Sequence, residues 1–219
     1  MNLYIVVEGK IESKLYPGWL KHLLPDWHRV DNAEEVTAKN YYLVNAGGYP
    51  GIIEETLPNA IEEINLIGKY DYLVLCFDAD EDTVAEREKA IAPLNETLKL
   101  PTKLIPIVQN RCLETWLLGN RKFYKRNPEL EQARRFTHFY DVSQNDPELM
   151  GKGNDFYTIS QFHKEYFKAL CQERGIKYSE RSIDVVTEQS YLAQLQLRVR
   201  ETDHLMTFRR FNDFCLTLK

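Results

Sequence analysis

No apolar run in this 219-residue chain approaches the roughly 20 residues that a membrane-crossing helix needs. Glu8 and Lys10 interrupt the amino-terminal apolar stretch too early for a secretion signal, so no membrane association and a cytoplasmic address are expected. Cys76, Cys112, Cys171 and Cys215 are far apart and form no C-x-x-C pair, which argues against a zinc cluster or a dithiol redox centre; they are expected to stay reduced. The five histidines are equally scattered, with no H-E-x-x-H or similar zinc pattern. An excess of positive charge is also missing. The net charge is −5, with 11 Lys/Arg against 19 Asp/Glu over residues 1–118 and 17 against 14 over residues 119–219. A protein gripping nucleic acid through phosphates alone is usually basic, so such binding here would need a local patch or bridging metal ions.

What is present is an ordinary soluble composition, 43% hydrophobic and 28% charged, sufficient for one generous domain or a core domain with a helical appendage. Leu3–Val7, Tyr41–Val44, Tyr72–Phe77 and Leu104–Val108 read as short strands, and Pro106 in the last of these favours a sheet edge. Between them lie helical patterns: Ile11, Leu15, Trp19 and Leu23 at helical spacing, residues 51–68 with Gly68 as the C-cap, and a charged helix over about 82–98. This alternation predicts an α/β fold with a mainly parallel sheet flanked by helices. After residue 120 the character changes. Arg121, Lys122, Lys125, Arg126, Arg134 and Arg135 form a basic stretch, Gly151-Lys152-Gly153 marks a loop, and three amphipathic helical patterns form a carboxy-terminal extension. The expected division is therefore a catalytic core over 1–119 and a basic loop region with packing helices over 120–219.

The chemistry concentrates at Tyr72-Leu-Val-Leu-Cys-Phe-Asp78-Ala-Asp80, where an uncharged strand ends in two acids one residue apart. At the carboxyl end of a buried parallel strand such acids emerge where these sheets bind ligands. Two neighbouring carboxylates repel unless a proton or a cation lies between them, which suggests Mg²⁺ or Mn²⁺; equally, Asp78-Ala-Asp80-Glu81-Asp82-Thr83 would serve as a cap for the next helix. Glu8 follows the first strand as Asp78 follows the third, and Glu12 lies one helical turn beyond Glu8. Glu8, Glu12, Asp78 and Asp80 together match what two-metal phosphodiester chemistry requires: hard oxygen ligands for two ions about 4 Å apart.

The apolar strand with Glu8-Gly9, the second turn at Gly47-Gly48 and the D-x-D at Asp78 and Asp80 together resemble the TOPRIM fold of topoisomerases, primases, recombination proteins and OLD-type nucleases. The similarity covers residues 3 to about 118, and the extra Glu12 is closest to the OLD-type and small stand-alone nuclease branch. That resemblance implies a TOPRIM-like fold and metal-dependent cleavage of nucleic acid, DNA before RNA, in the setting of phage defence. It further implies Glu8 as metal ligand or general base, Glu12 and Glu114 on a second ion, Asp78 and Asp80 as principal ligands, and Lys152 neutralising charge on the phosphate. Arg121, Lys122, Arg134 and Arg135 are the expected backbone-gripping residues. OLD proteins carry a fused ATPase, but no G-x-x-x-x-G-K-[ST] occurs here, which leaves room for a separate ATPase partner; homo-oligomerisation is also compatible. The rivals are a non-catalytic TOPRIM-like regulatory or partner subunit and a D-x-D phosphatase of the haloacid dehalogenase class with Asp78 as nucleophile.

Overall fold

All six residues of Asn2–Val7 are buried, the pattern of a strand covered on both faces, and they form β1, which lies at the centre of the sheet. The computed structural model describes residues 1–219 as a five-stranded, all-parallel sheet flanked by helices, an α/β Rossmann-like fold. The other strands are β2 (His28–Arg29), β3 (Asn40–Asn45), β4 (Tyr72–Asp78) and β5 (Lys103–Gln109), in the order β2-β3-β1-β4-β5. β1 thus pairs with β3 on one side and with β4 on the other, Val7 lying opposite Asn45 and Cys76. β5 is an edge strand, the position Pro106 favours because a proline donates no ladder hydrogen bond. No helix is long and apolar enough to cross a membrane.

The helices are α1 (Glu12–Leu23), α2 (Leu57–Ile67), α3 (Val84–Ile91), α4 (Leu113–Leu117), α5 (Glu131–Phe139), α6 (Ile159–Glu173), α7 (Asp184–Thr187), α8 (Gln189–Glu201) and α9 (Met206–Thr217). The pattern over 51–68 resolves into a π turn at Ile52–Thr56 followed by α2, which Gly68 closes in the left-handed conformation at φ 65°. The charged segment over 82–98 is helical only to Ile91 and then tightens to a 3₁₀ helix at Ala92–Thr97. Pro93, lacking an N–H, cannot continue the α-helical ladder. β2, two exposed residues paired with Asn40 and Tyr41, carries no sequence signal.

The chain divides into two compact units. The first comprises Met1–Phe77, Val84–Val108 and Leu218–Lys219; the second comprises Asp78–Thr83 and Gln109–Thr217. The second therefore takes up the end of β4 and begins at Gln109, ahead of the change in composition at residue 120. It has its own core, with Trp116, Phe162, Tyr166, Phe167 and Phe208 fully buried. Two polar devices fasten it. Arg198, 1% exposed, donates to the carbonyls of Gly119, Val142 and Asn145 at 3.1, 2.7 and 2.7 Å and to His204 Nδ1. Thr207 accepts from Trp116 Nε1 at 2.7 Å and donates to Glu148, while the Thr207 N–H donates to Glu148 at 3.0 Å.

Candidate functional site

The second unit carries the acids that close β4. Beyond the strand, the Ala79 N–H donates to the Gln109 carbonyl at 2.9 Å and the Asp80 N–H to the Arg111 carbonyl at 2.8 Å, so the acidic turn is laced to the segment leaving β5. Asp80 sits in the left-handed region at φ 52°, a conformation aspartate tolerates better than most residues. Arg111 Nη1 fixes that turn from inside, donating at 3.1 Å to the carbonyls of Asp80, Glu81 and Asp82. Glu81 turns away to cap α6: its Oε1 accepts from the Ile159 N–H at 2.7 Å, where a helix N-terminus presents free donors. The acidic cluster thus divides its labour, one acid serving as a cap and two closing the strand.

Asp78 is buried, and Lys164 Nζ on α6 lies 3.6 Å from its Oδ2. Burial alone would lower the Lys164 pKa. The negative charge of Asp78, with smaller contributions from Glu114 and Asp80, outweighs it and holds the ammonium firmly charged. Glu114, in the first turn of α4, is also buried and accepts from the Tyr178 hydroxyl at 3.0 Å. Burial, then Glu114 and Asp78, push the Cys112 thiol well above its usual range, so it stays protonated and is no nucleophile.

His163, immediately before Lys164, is fully buried and held from both ring nitrogens, Nδ1 accepting from Thr115 Oγ1 at 2.8 Å and Nε2 donating to the Met150 carbonyl at 2.9 Å. Burial lowers its pKa to about 4, so the ring is neutral at physiological pH and seats α6 rigidly beside α4.

The first unit holds Glu8 and Glu12. The Glu8 N–H donates to the Cys76 carbonyl at 3.1 Å, which puts Glu8 at the carboxyl edge of the sheet. Glu12, 8% exposed, opens α1, and a Cβ at Gly9 would lie 2.8 Å from its Oε2; the glycine leaves room for the carboxylate. The first strand and the strand that runs into the D-x-D are neighbours in the sheet.

The five acids named from the sequence therefore fall into two sets, Glu8 with Glu12 in one unit and Asp78, Asp80 and Glu114 in the other. No group of three or more His, Cys, Asp or Glu side chains is placed to hold a metal ion. The donors are right in kind for a hard cation, being carboxylate oxygens throughout. Lys152 lies exposed on its loop, whereas the lysine against Asp78 is Lys164. Part of its signal was available: Lys164 shares one helical face with Ser160, Phe167 and Cys171, which are buried. Arg111 and Tyr178 carried no comparable signal. Of the basic residues, Arg121 pairs with Glu201 at 2.9 Å, Arg135 pairs with Asp155 at 3.2 Å, Arg134 donates to the Pro128 and Glu129 carbonyls, and Lys122 is exposed.

The chain matches no protein-family model, no curated protein and no solved structure.

Proposed function

We propose that the protein is a metal-dependent nuclease of TOPRIM type, cleaving phosphodiester bonds of DNA, with RNA as the alternative substrate. The observation that carries this reading is the Asp78–Lys164 pair at the carboxyl end of a buried parallel strand, with Asp80 beside it on a turn clamped by Arg111. The ammonium suits a phosphate group, whose charge it neutralises as it grows in the transition state, and the carboxylate beside it suits a cation. Asp78 and Asp80, one residue apart in the second unit, would supply hard oxygen ligands. Mg²⁺ or Mn²⁺, when bound, supplies Lewis acidity and lowers the pKa of water. Arg111 keeps the Asp80 turn from relaxing, and His163 keeps Lys164 in register. Action in phage defence alongside a separate ATPase belongs to the same proposal.

Incubating plasmid, linear DNA and RNA with the protein in Mg²⁺ or Mn²⁺ tests it directly. Cleavage should appear with metal, vanish with chelator and be lost in D78N and D80N; no cleavage under any metal would overturn the assignment. A second reading, phosphomonoester hydrolysis with Asp78 as nucleophile, draws on the same Lys164 contact, because a lysine paired with a nucleophilic carboxylate also orients it. Turnover of p-nitrophenyl phosphate without polynucleotide cleavage would select that reading.

A further inference from the structure

An open groove of about 550 Å³ lies in the second unit, away from the acidic turn in sequence. It is lined by Tyr124, Arg126, Asn127, Arg134, Thr137 and His138; a carboxylate, that of Asp141, lies against the Tyr124 hydroxyl. In a chain of net charge −5 that concentration of cationic and hydrogen-bonding groups is a local reversal of the overall charge. The sequence of α5 explains half of it: Thr137 and His138 lie three and four residues after Arg134 and share its helix face. The loop Tyr124–Pro128 supplies the other wall.

The charges of this region are not all available. Arg121, Lys125 and Arg135 are neutralised by Glu201, by Glu129 and Glu173, and by Asp155, whereas Arg126 and His138 make no hydrogen bond or ion pair within the chain. Arg134 is held from behind, its Nε and Nη2 donating to the Pro128 and Glu129 carbonyls at 3.3 and 3.0 Å, so that part of its planar fork is spent on fixing its orientation. A guanidinium immobilised in this way loses little entropy when it meets a phosphate. The groove is also too large for a phosphate alone, and it offers an aromatic residue, an amide and a hydroxyl beside the cations.

We propose that this groove is a strand-holding subsite that takes one nucleotide unit of a single-stranded polynucleotide, the phosphate against Arg126 and Arg134 and the base or sugar against Tyr124 and Asn127. It rests on the reading of the protein as one that acts on polynucleotides. It also reassigns the basic stretch: Arg126 and His138 join Arg134 as the contacts, and Arg121 and Arg135 serve the fold.

The test is fluorescence anisotropy with a labelled short oligothymidylate in chelator, where no turnover occurs, across about 50 to 200 mM salt. R126E/H138E should weaken binding by about tenfold or more and flatten the dependence on salt by about one to two contacts, while K177E/R200E, at exposed cations elsewhere in the unit, should stay within about twofold of the parent. Both altered side chains are exposed, and thermal melts together with the milder R126A/H138A pair separate misfolding from lost contact. The inference is overturned if the parent binds no oligothymidylate, if R126E/H138E binds like the parent, if the two pairs weaken binding equally, or if polyglutamate displaces the oligonucleotide as well as another oligonucleotide does. Because metal and turnover play no part, intact groove binding with no metal-dependent cleavage would count against the nuclease reading alone.

Discussion

Acidification should remove a definable share of stability through one residue, His163. Its ring is completely buried, with Nδ1 accepting from Thr115 and Nε2 donating to the Met150 carbonyl. A second ring proton would have nowhere to go without reorganising Thr115, whose hydroxyl oxygen also accepts from the Cys112 N–H at 3.3 Å. Burial therefore lowers the pKa from 6.5 to about 4. Above pH 6.5 the imidazole is neutral in both folded and unfolded chains, and its contribution is fully present. As the pH falls toward about 4 the unfolded chain takes up a proton that the folded chain refuses, so stability drains away. The separation of the two pKa values corresponds to about 3 kcal/mol. That is a large part of the roughly 5–15 kcal/mol available to a typical domain. Urea unfolding of the parent and of H163Q, which keeps a donor and an acceptor but does not titrate, isolates the effect, because every other ionising group cancels in the difference. The parent should lose about 3 kcal/mol relative to H163Q between about pH 7 and about pH 4. A difference that stays flat over that interval would refute the reasoning, as would an imidazole resonance titrating at its ordinary pKa.

Glu148 should act in the opposite sense. Burial raises its pKa to about 6 against the Thr207 hydrogen bonds, so the stability it contributes is fully present below 4.5 and about 2 kcal/mol of it is lost as the pH rises through 6; E148Q in the same urea series should abolish that slope. T207V removes the acceptor for Trp116 Nε1 and the donor to Glu148, and should cost about 2–4 kcal/mol in urea unfolding. G119A would place a Cβ 2.2 Å from Leu205 Cδ1 and 2.8 Å from the Trp116 carbonyl, and should lower the melting point through about 1–3 kcal/mol of overpacking. Under the proposed nuclease function, K164M should reduce kcat for DNA cleavage by about 100-fold or more while Mn²⁺ uptake, followed calorimetrically, persists; unchanged kcat would remove Lys164 from that mechanism.

Local pattern was enough to anticipate the parallel α/β sheet, because the uncharged run ending at Asp78 and the apolar centre of β1 suit strands buried on both faces and alternate with helical patterns, and because Pro106 favours an edge. It also located the acids, since the ends of such strands follow from local pattern alone. Tertiary structure decided which cations serve which acids. Lys164 rather than Lys152 reaches Asp78, Arg111 clamps the Asp80 turn, and Arg121 and Arg135 are consumed by Glu201 and Asp155. These partners are separated by up to 86 residues along the chain, as Asp78 is from Lys164. Ion pairs at that separation leave no periodicity or spacing to read. They depend on how helices seat against one another, and that is fixed by packing around Trp116, Phe162 and His163 rather than by any local preference of the residues that carry the charge.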